Sequence, residues 1–350
     1  MTLRPPKVRP ARRPGPRART FFERFPSQLE ALKLQARSAC ELVTETLDDL
    51  RIPIHSVTGR PKEQGSAIEK TIKKGYGLPS IQMTDLVGVR VITYYAKDVD
   101  QVVPRLRASL TVHPDPRKSP DKRVELDVRE FGYSSVHLVV QATGGQLTRY
   151  PALRDRWFEV QVRGILEHSW AEIEHDIVYK SGTARERGLV RRFSAMAAVL
   201  EVVNSSFEEL RVAQREVAAL HAANYSAGRG FDMPLDAARL AALMHSLLPR
   251  SPGWHEGPDS PGTTQHMAAR MVDALAFAGV RNGDDLRARI TANQVGDDVA
   301  EYATAASLAS DDVSHVTRLL LMLGRQDPSL LGDCFPWEAG DAYLAAVLGL

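Results

Sequence analysis

The sequence predicts an α+β protein: a front part in which strands and helices are interleaved, followed by a mostly α-helical C-terminal region. Three observations carry this. Residues Trp157 to Lys180, WFEVQVRGILEHSWAEIEHDIVYK, switch from a two-residue to a helical apolar period within one stretch. Two further β-branched runs, within Met83 to Tyr95 and Val128 to Gln141, lie upstream among helical patterns. From Leu235 onward only helical segments recur, separated by loops rich in Pro and Gly.

A chain of 350 residues exceeds one ordinary domain, and its net charge of +2 hides an asymmetry. From Gly228 to the end there are 16 Asp and Glu against 9 Arg and no Lys, a charge of −7, which leaves +9 for the preceding part. A basic front attracts polyanions, and an acidic back can mask it. No apolar run approaches the roughly 20 residues that span a bilayer, and no signal-type segment opens the sequence. Two distant cysteines, Cys40 and Cys334, offer neither a disulfide framework nor metal-ligand spacing. The expected compartment is the cytoplasm, with no membrane partner.

In chain order, residues 1–20 are Pro-rich and hold seven basic residues without an acid, so a disordered basic arm is expected. Gln28 to Leu50 keeps helical spacing through Leu29, Leu32, Ala36, Ala39, Val43, Leu47 and Leu50, with Pro26 and Ser27 as start signals. IHSVTGR then reads as a strand turning at Gly59 into a helix from about Ser66. Arg60 and Lys62 leave that strand on one face, while Ser66 and Lys70 sit four apart on the helix, so four phosphate-holding groups converge. This is not a Walker loop, because GxxxxGK[ST] is absent.

MTDLVGVRVITYY is a strand entered by Asp85 and carrying Arg90. A carboxylate there is either a turn residue or a metal ligand of the kind nucleotide-transfer enzymes use. Val99 to Leu110 reads as a helix despite Pro104, and Pro114 to Arg123 as a loop bearing Arg117, Lys118, Lys122 and Arg123. In VREFGYSSVHLVVQ, Tyr133, Ser135 and His137 share one strand face and Val136, Leu138 and Val140 the other. An aromatic ring after Gly132, backed by a hydroxyl and an imidazole, can stack a base; the alternative is an edge strand with its polar side in water.

The stretch from Trp157 is the most informative. Phe158, Val160 and Val162 alternate with Trp157, Glu159, Gln161 and Arg163, a polar face that looks like a ligand lining. From Leu166 the helical arc Leu166, Trp170, Ile173 and Ile177 stands opposite His168, Glu172, His175 and Tyr179. Glu172 and His175 fit one half of a di-iron site, but the other half is missing. Helical spacing continues from Ala184 to Leu220 through Phe193, Met196, Val199 and Phe207.

Taken together, GRPKxxxSxxxK with DLVGVRV, then FGYSSVH, then EVQVRGxxxHSWAEIEHDxxYK resemble the synthetase domain of the RelA/SpoT alarmone synthetases, over about Leu29 to Leu220. The resemblance implies a mixed, nucleotidyltransferase-like β-sheet flanked by helices. It also implies a Mg²⁺-dependent GTP pyrophosphokinase that moves the β,γ-pyrophosphate of ATP to the ribose 3′-hydroxyl of GDP or GTP. By position, Arg60, Lys62, Ser66, Lys70 and Arg90 match the ATP-phosphate clamp. Asp85 matches the metal ligand, Glu159 a second ligand or base, and Tyr133 the ring stacking on the acceptor base. His137, Gln161, His168 and Arg129 fall near the acceptor.

Two departures surround the acceptor: Arg129, Glu130 and Phe131 replace the frequent Lys-Pro-Asn, and Gly164 replaces the usual Thr. The acceptor therefore stays open between GDP, GTP, ATP and the 3′ end of tRNA, which toxic members modify. A non-catalytic nucleotide-binding regulator is the third class. No His-Asp hydrolase domain is expected.

The expected division is 1–20 arm, 21–223 synthetase, 224–234 linker and 235–350 acidic helical accessory domain. That last region is expected to regulate, docking on the basic synthetase, or to have its own partner. Self-association is left open.

Overall fold

The computed structural model describes residues 15–48, 50, 52–121, 123, 135–174, 176–177, 187–247, 261–290, 293–305 and 315–326. The chain divides into two compact units, Met1–Phe207 and Glu208–Leu350.

The first unit is built on a five-stranded sheet with strands β1 (Ile54–Pro61), β2 (Val87–Thr93), β3 (Thr111–Val112), β4 (Val136–Gln141) and β5 (Phe158–Gly164) in the order β1-β2-β5-β4-β3. β2 and β5 run parallel, and every other neighbouring pair is antiparallel, so the sheet is mixed as the resemblance implies. Its helices are α1 (Pro16–Glu23), α2 (Phe25–Leu47), α3 (Gln64–Lys74), α4 (Pro79–Gln82), α5 (Val99–Ser109), α6 (Gln146–Arg149) and α7 (Ile165–Glu174).

One sheet face is apolar except for Thr93 at the end of β2. Val87, Val89 and Val91 of β2, Leu138 and Val140 of β4, and Phe158, Val160 and Val162 of β5 are buried in one core with Leu32, Ala36, Ala39 and Val43 of α2 and Val102 and Leu106 of α5. Each such side chain contributes roughly 1.5–3 kcal/mol on leaving water. Gly59 lets α2 approach β1: a Cβ there would overlap the Ala36 carbonyl oxygen and lie 2.9 Å from Cys40 Cβ. The opposite face carries the polar alternates, and the parallel register aligns Gly88 with Glu159 and Arg90 with Gln161.

The arm ends earlier than composition implies. Residues 16–20 form the start of α1, with Pro16 opening the helix, because Phe21, Phe22 and Phe25 make edge-on contacts of 5.1 and 5.7 Å and bury Ala18 with them. Residues 1–14 lie outside the described residues.

A helix α8 (Arg187–Ser226) starts in the first unit and ends in the second, running through the first three residues of the expected linker. The second unit continues with α9 (Ala237–Leu247), α10 (Pro261–Phe277), α11 (Gly283–Ile290), α12 (Asn293–Ala305) and α13 (His315–Gln326). Leu240, Leu243, Met271, Leu275, Leu286, Leu319 and Leu323 form its core. Asp236 and Asn282 accept backbone N–H bonds from Arg239 and Asp285, the capping chemistry expected at helix starts. No helix among the described residues is long and apolar enough to cross a membrane.

Candidate active site

The site is assembled by β2, β5 and α3 on the polar sheet face. Asp85 lies just before β2, where the chain enters the sheet, and two lysines converge on it. Lys62, which follows β1 and is fixed by its backbone N–H to the Leu86 carbonyl, places Nζ 2.8 Å from Asp85 Oδ2. Lys70, one turn beyond Ser66 on α3, places Nζ 2.7 Å from the same oxygen. Burial would lower the Lys70 ammonium, but its bond to Asp85 and the charges of Asp85 and Glu159 outweigh this and raise it. The other oxygen, Asp85 Oδ1, is buried and has no hydrogen-bond partner among the described residues.

Glu159 stands on β5 beside this group. Its Oε1 is 2.9 Å from His137 Nδ1 and accepts from Gln161 Nε2 at 2.7 Å. The contact follows from register, because β4 sets His137 against Gln161 and Val139 against Glu159. Burial pushes the Glu159 carboxyl up, yet His137, Gln161 and the Lys70 charge prevail and hold it at about 2. Glu159 is thus an anion in a cationic frame.

A third cluster borders the first two. Arg90 of β2 and Arg163 of β5 both reach Glu172 Oε1 of α7, at 3.0 and 3.2 Å, and His168 Nδ1 is 3.8 Å from it. Burial and the two guanidiniums lower the His168 imidazole. Burial raises and the guanidiniums lower the Glu172 carboxyl, with a net fall.

Of the residues expected to bind ATP, Lys62, Lys70 and Arg90 thus surround two carboxylates. Arg60 shares the polar face through its pairing with Gly88, and both Arg60 and Ser66 are exposed. Of the acceptor set, His137, Gln161 and His168 border Glu159 and the Arg90 cluster, whereas Tyr133 and Arg129 lie outside the described residues, as does His175. Two of the four basic residues of the expected loop pair with carboxylates: Arg117 bonds Asp115, and Arg123 bonds Asp121 and Asp100 of α5, while Lys122 lies outside the described residues. Trp157 packs against His113 with ring centres 4.7 Å apart. The Ile173 and Ile177 side of the α7 pattern is exposed, at 52% and 44%, while Trp170 is buried.

Residues 59–184 match the family model described as the region found in RelA / SpoT proteins. The chain is also 31% identical, over 180 residues covering 49% of its length and 78% of the relative's, to the GTP pyrophosphokinase YjbM of Bacillus subtilis. The chain belongs to the RelA/SpoT family. A second relative, the GTP pyrophosphokinase YwaC of the same organism, is 30% identical over 132 residues, 37% of this chain and 60% of that protein. Among solved structures, the small alarmone synthetase 2 of Bacillus subtilis superposes with a TM-score of 0.43 at 22% identity, covering 54% of this chain and 98% of that one. A GTP pyrophosphokinase family protein from Streptococcus pneumoniae gives 0.42 at 24%, covering 58% and 96%.

The RelA/SpoT match brackets all three clusters, from Gly59 to the end of α7. Its departure at Gly164 has a local cause. A Cβ there would overlap Glu167 Oε2 and come 3.2 Å from the Ala96 Cα, so the position accommodates a buried carboxyl that accepts from Asn204 Nδ2. Sequence reading missed the Glu167–Asn204 contact and the counter-ion role of Glu172. The four-residue step from His168 to Glu172 was the only sequence signal for the latter.

Proposed function

We propose that this chain is a GTP pyrophosphokinase that transfers the β,γ-pyrophosphate of ATP to the 3′-hydroxyl of GDP or GTP, producing the alarmone (p)ppGpp. One observation carries the reading. The parallel pairing of β2 with β5 sets a lysine-held carboxylate, Asp85, beside a second carboxylate, Glu159, framed by His137 and Gln161. The kinship to YjbM, a GTP pyrophosphokinase, supports it.

Pyrophosphoryl transfer asks a protein for alignment and charge neutralisation rather than covalent chemistry. The 3′-hydroxyl oxygen attacks the β-phosphorus of ATP, AMP leaves, and the hydroxyl proton passes to an acceptor in the site. Lys62 and Lys70, held on Asp85, exchange part of that ion pair for phosphate oxygens, and Arg60 and Arg90 extend the cationic rim. Oxygen donors and an uncommitted, buried Asp85 Oδ1 fit Mg²⁺, which is held by one or two carboxylates plus substrate phosphates. Asp85 and Glu159 would hold it, and when bound it would shield charge on the transferring phosphates.

At about 2, Glu159 remains ionised at working pH. This suits a cation ligand or an acceptor for the 3′-hydroxyl hydrogen bond better than a strong base, whose pKa is best near the operating pH. His137, Gln161 and His168 border the acceptor. The carboxylate pairing of Arg117 and Arg123 favours a small acceptor over a polyanion.

The acidic region from Gly228 onward is a regulator of this activity in our reading, its −7 against the +9 ahead of it being the support. Equal kinetics for the full chain and for one ending before Gly228 rejects that role.

The test of the main reading is γ-³²P-ATP with Mg²⁺ and GDP, GTP, ATP or deacylated tRNA, with Glu159→Gln as control. Label in a guanosine nucleotide that vanishes in the control is the expected result. Label confined to tRNA overturns it.

A further inference from the structure

Arg90 and Arg163 sit on neighbouring parallel strands, Arg90 level with Gln161 and Arg163 level with Ile92, so the two guanidiniums lie diagonally on one face. Like charges so placed repel, and Arg163 is buried, with its side chain only 2% exposed. Both reach one oxygen, Glu172 Oε1, and His168 faces the same atom. Glu172 itself is 54% exposed and comes from a different element, α7. A carboxylate needed only to neutralise Arg163 has no reason to take Arg90 on the same oxygen. Sharing that oxygen fixes the distance between the two arginines and ties β2, β5 and α7 at one point.

Resting on the ATP reading above, we propose that Glu172 is a positioning residue: by bridging Arg163 and Arg90 it sets the Arg90 guanidinium for the ATP phosphates. Arg163 is the anchor, because it is buried and its strand is central. Arg90 is the working end, because it leaves the strand that Asp85 enters. Without the bridge Arg90 is displaced by Arg163, and donor binding weakens more than acceptor binding, which Glu172 meets through His168 at the longer distance of 3.8 Å.

The experiment is a double-substitution cycle on the full chain, with two readouts. Calorimetry with a non-hydrolysable ATP analogue and Mg²⁺ reports donor binding without any acceptor, and initial rates separate KM from kcat. Glu172→Gln is expected to weaken the analogue and raise the KM for ATP by about tenfold, the scale of one charge-assisted contact, with the KM for GDP and kcat within about threefold. In an Arg90→Ala background the same substitution is expected to change nothing further, since its effect passes through Arg90.

Unchanged analogue affinity in Glu172→Gln, an equal loss with and without Arg90, or a wild-type chain that does not bind the analogue overturns the proposal. Should Glu172→Gln lose its folded circular dichroism, Glu172→Asp, which keeps the charge but withdraws the oxygen by one methylene, carries the same cycle. A chain that binds the analogue yet labels no guanosine nucleotide defeats the transferase reading alone and leaves the Glu172 result legible.

Discussion

Lys70 Nζ lies 2.7 Å from Asp85 Oδ2, and Lys62 reaches the same oxygen at 2.8 Å, so one carboxylate oxygen holds two ammonium groups while its partner oxygen is buried without a hydrogen bond among the described residues. Such a carboxylate organises the cations that meet phosphate. Asp85→Ala is expected to lower turnover by about 10²-fold or more, the scale of a lost electrostatic contribution. Steady-state rates with ATP and GDP check this, and near wild-type turnover rejects Asp85 as a site residue.

Glu159→Gln keeps the shape of the side chain and removes its charge. The amide can still face Gln161, but the Lys70 charge loses one of its counter-ions. Turnover is expected to fall by about 10²-fold with little change in the KM for ATP, because the group acts near the reacting hydroxyl. A large rise in that KM with kcat intact would place Glu159 in donor binding instead.

Much of this was legible in the sequence because burial enforces period. Phe158, Val160 and Val162 alternate with Glu159, Gln161 and Arg163 since a central strand with one apolar face permits nothing else, and every one of the three apolar residues is fully buried. The convergence of Lys62 and Lys70 on Asp85 was not legible: they are 23 and 15 residues away from it, and only sheet order and α3 packing close those distances. The exposure of Ile173 and Ile177 was equally hidden, since helical periodicity reports an apolar arc without saying what covers it. Pro16 to Thr20 read as arm on proline content and charge, and the aromatic residues just downstream draw them into a helix.

Gly164 offers a stability test. Even alanine there places a methyl against Glu167 Oε2 and 3.2 Å from the Ala96 backbone. Glu167 can swing away, at the cost of its Asn204 bond, but the Ala96 backbone cannot. Gly164→Ala is expected to destabilise by about 1–3 kcal/mol, and Gly164→Thr by more. Thermal unfolding measures this. Combining Gly164→Ala with Glu167→Ala is expected to recover part of the loss, and no recovery would exclude Glu167 as the obstacle.

Glu167 also gives stability a pH dependence. Burial raises its carboxyl above the ordinary 4.5, opposed by hydrogen bonds from the backbone and Asn204 and by Arg163. The folded protein therefore binds this proton more tightly than the unfolded chain, so the group's contribution declines as pH rises from 4.5 through the raised value and stays low above it. Glu167→Gln removes that decline. Denaturation followed from acid to neutral pH is expected to show the variant gaining on wild type as pH rises. A constant difference defeats this.

The second unit supplies an asymmetry between two ends of one ion pair. Arg325 Nε and Nη2 donate to Asp298 from 2.7 to 3.0 Å, but the Asp298 side chain is 4% exposed and that of Arg325 36%. Asp298→Ala leaves a guanidinium that can turn toward water, so its cost is expected at about 1–2 kcal/mol. Arg325→Ala strands a buried carboxylate, and a cost of about 3–5 kcal/mol is expected. Calorimetric unfolding of the full chain at neutral pH compares the two. Equal costs at neutral pH would mean that the pair is solvated at both ends.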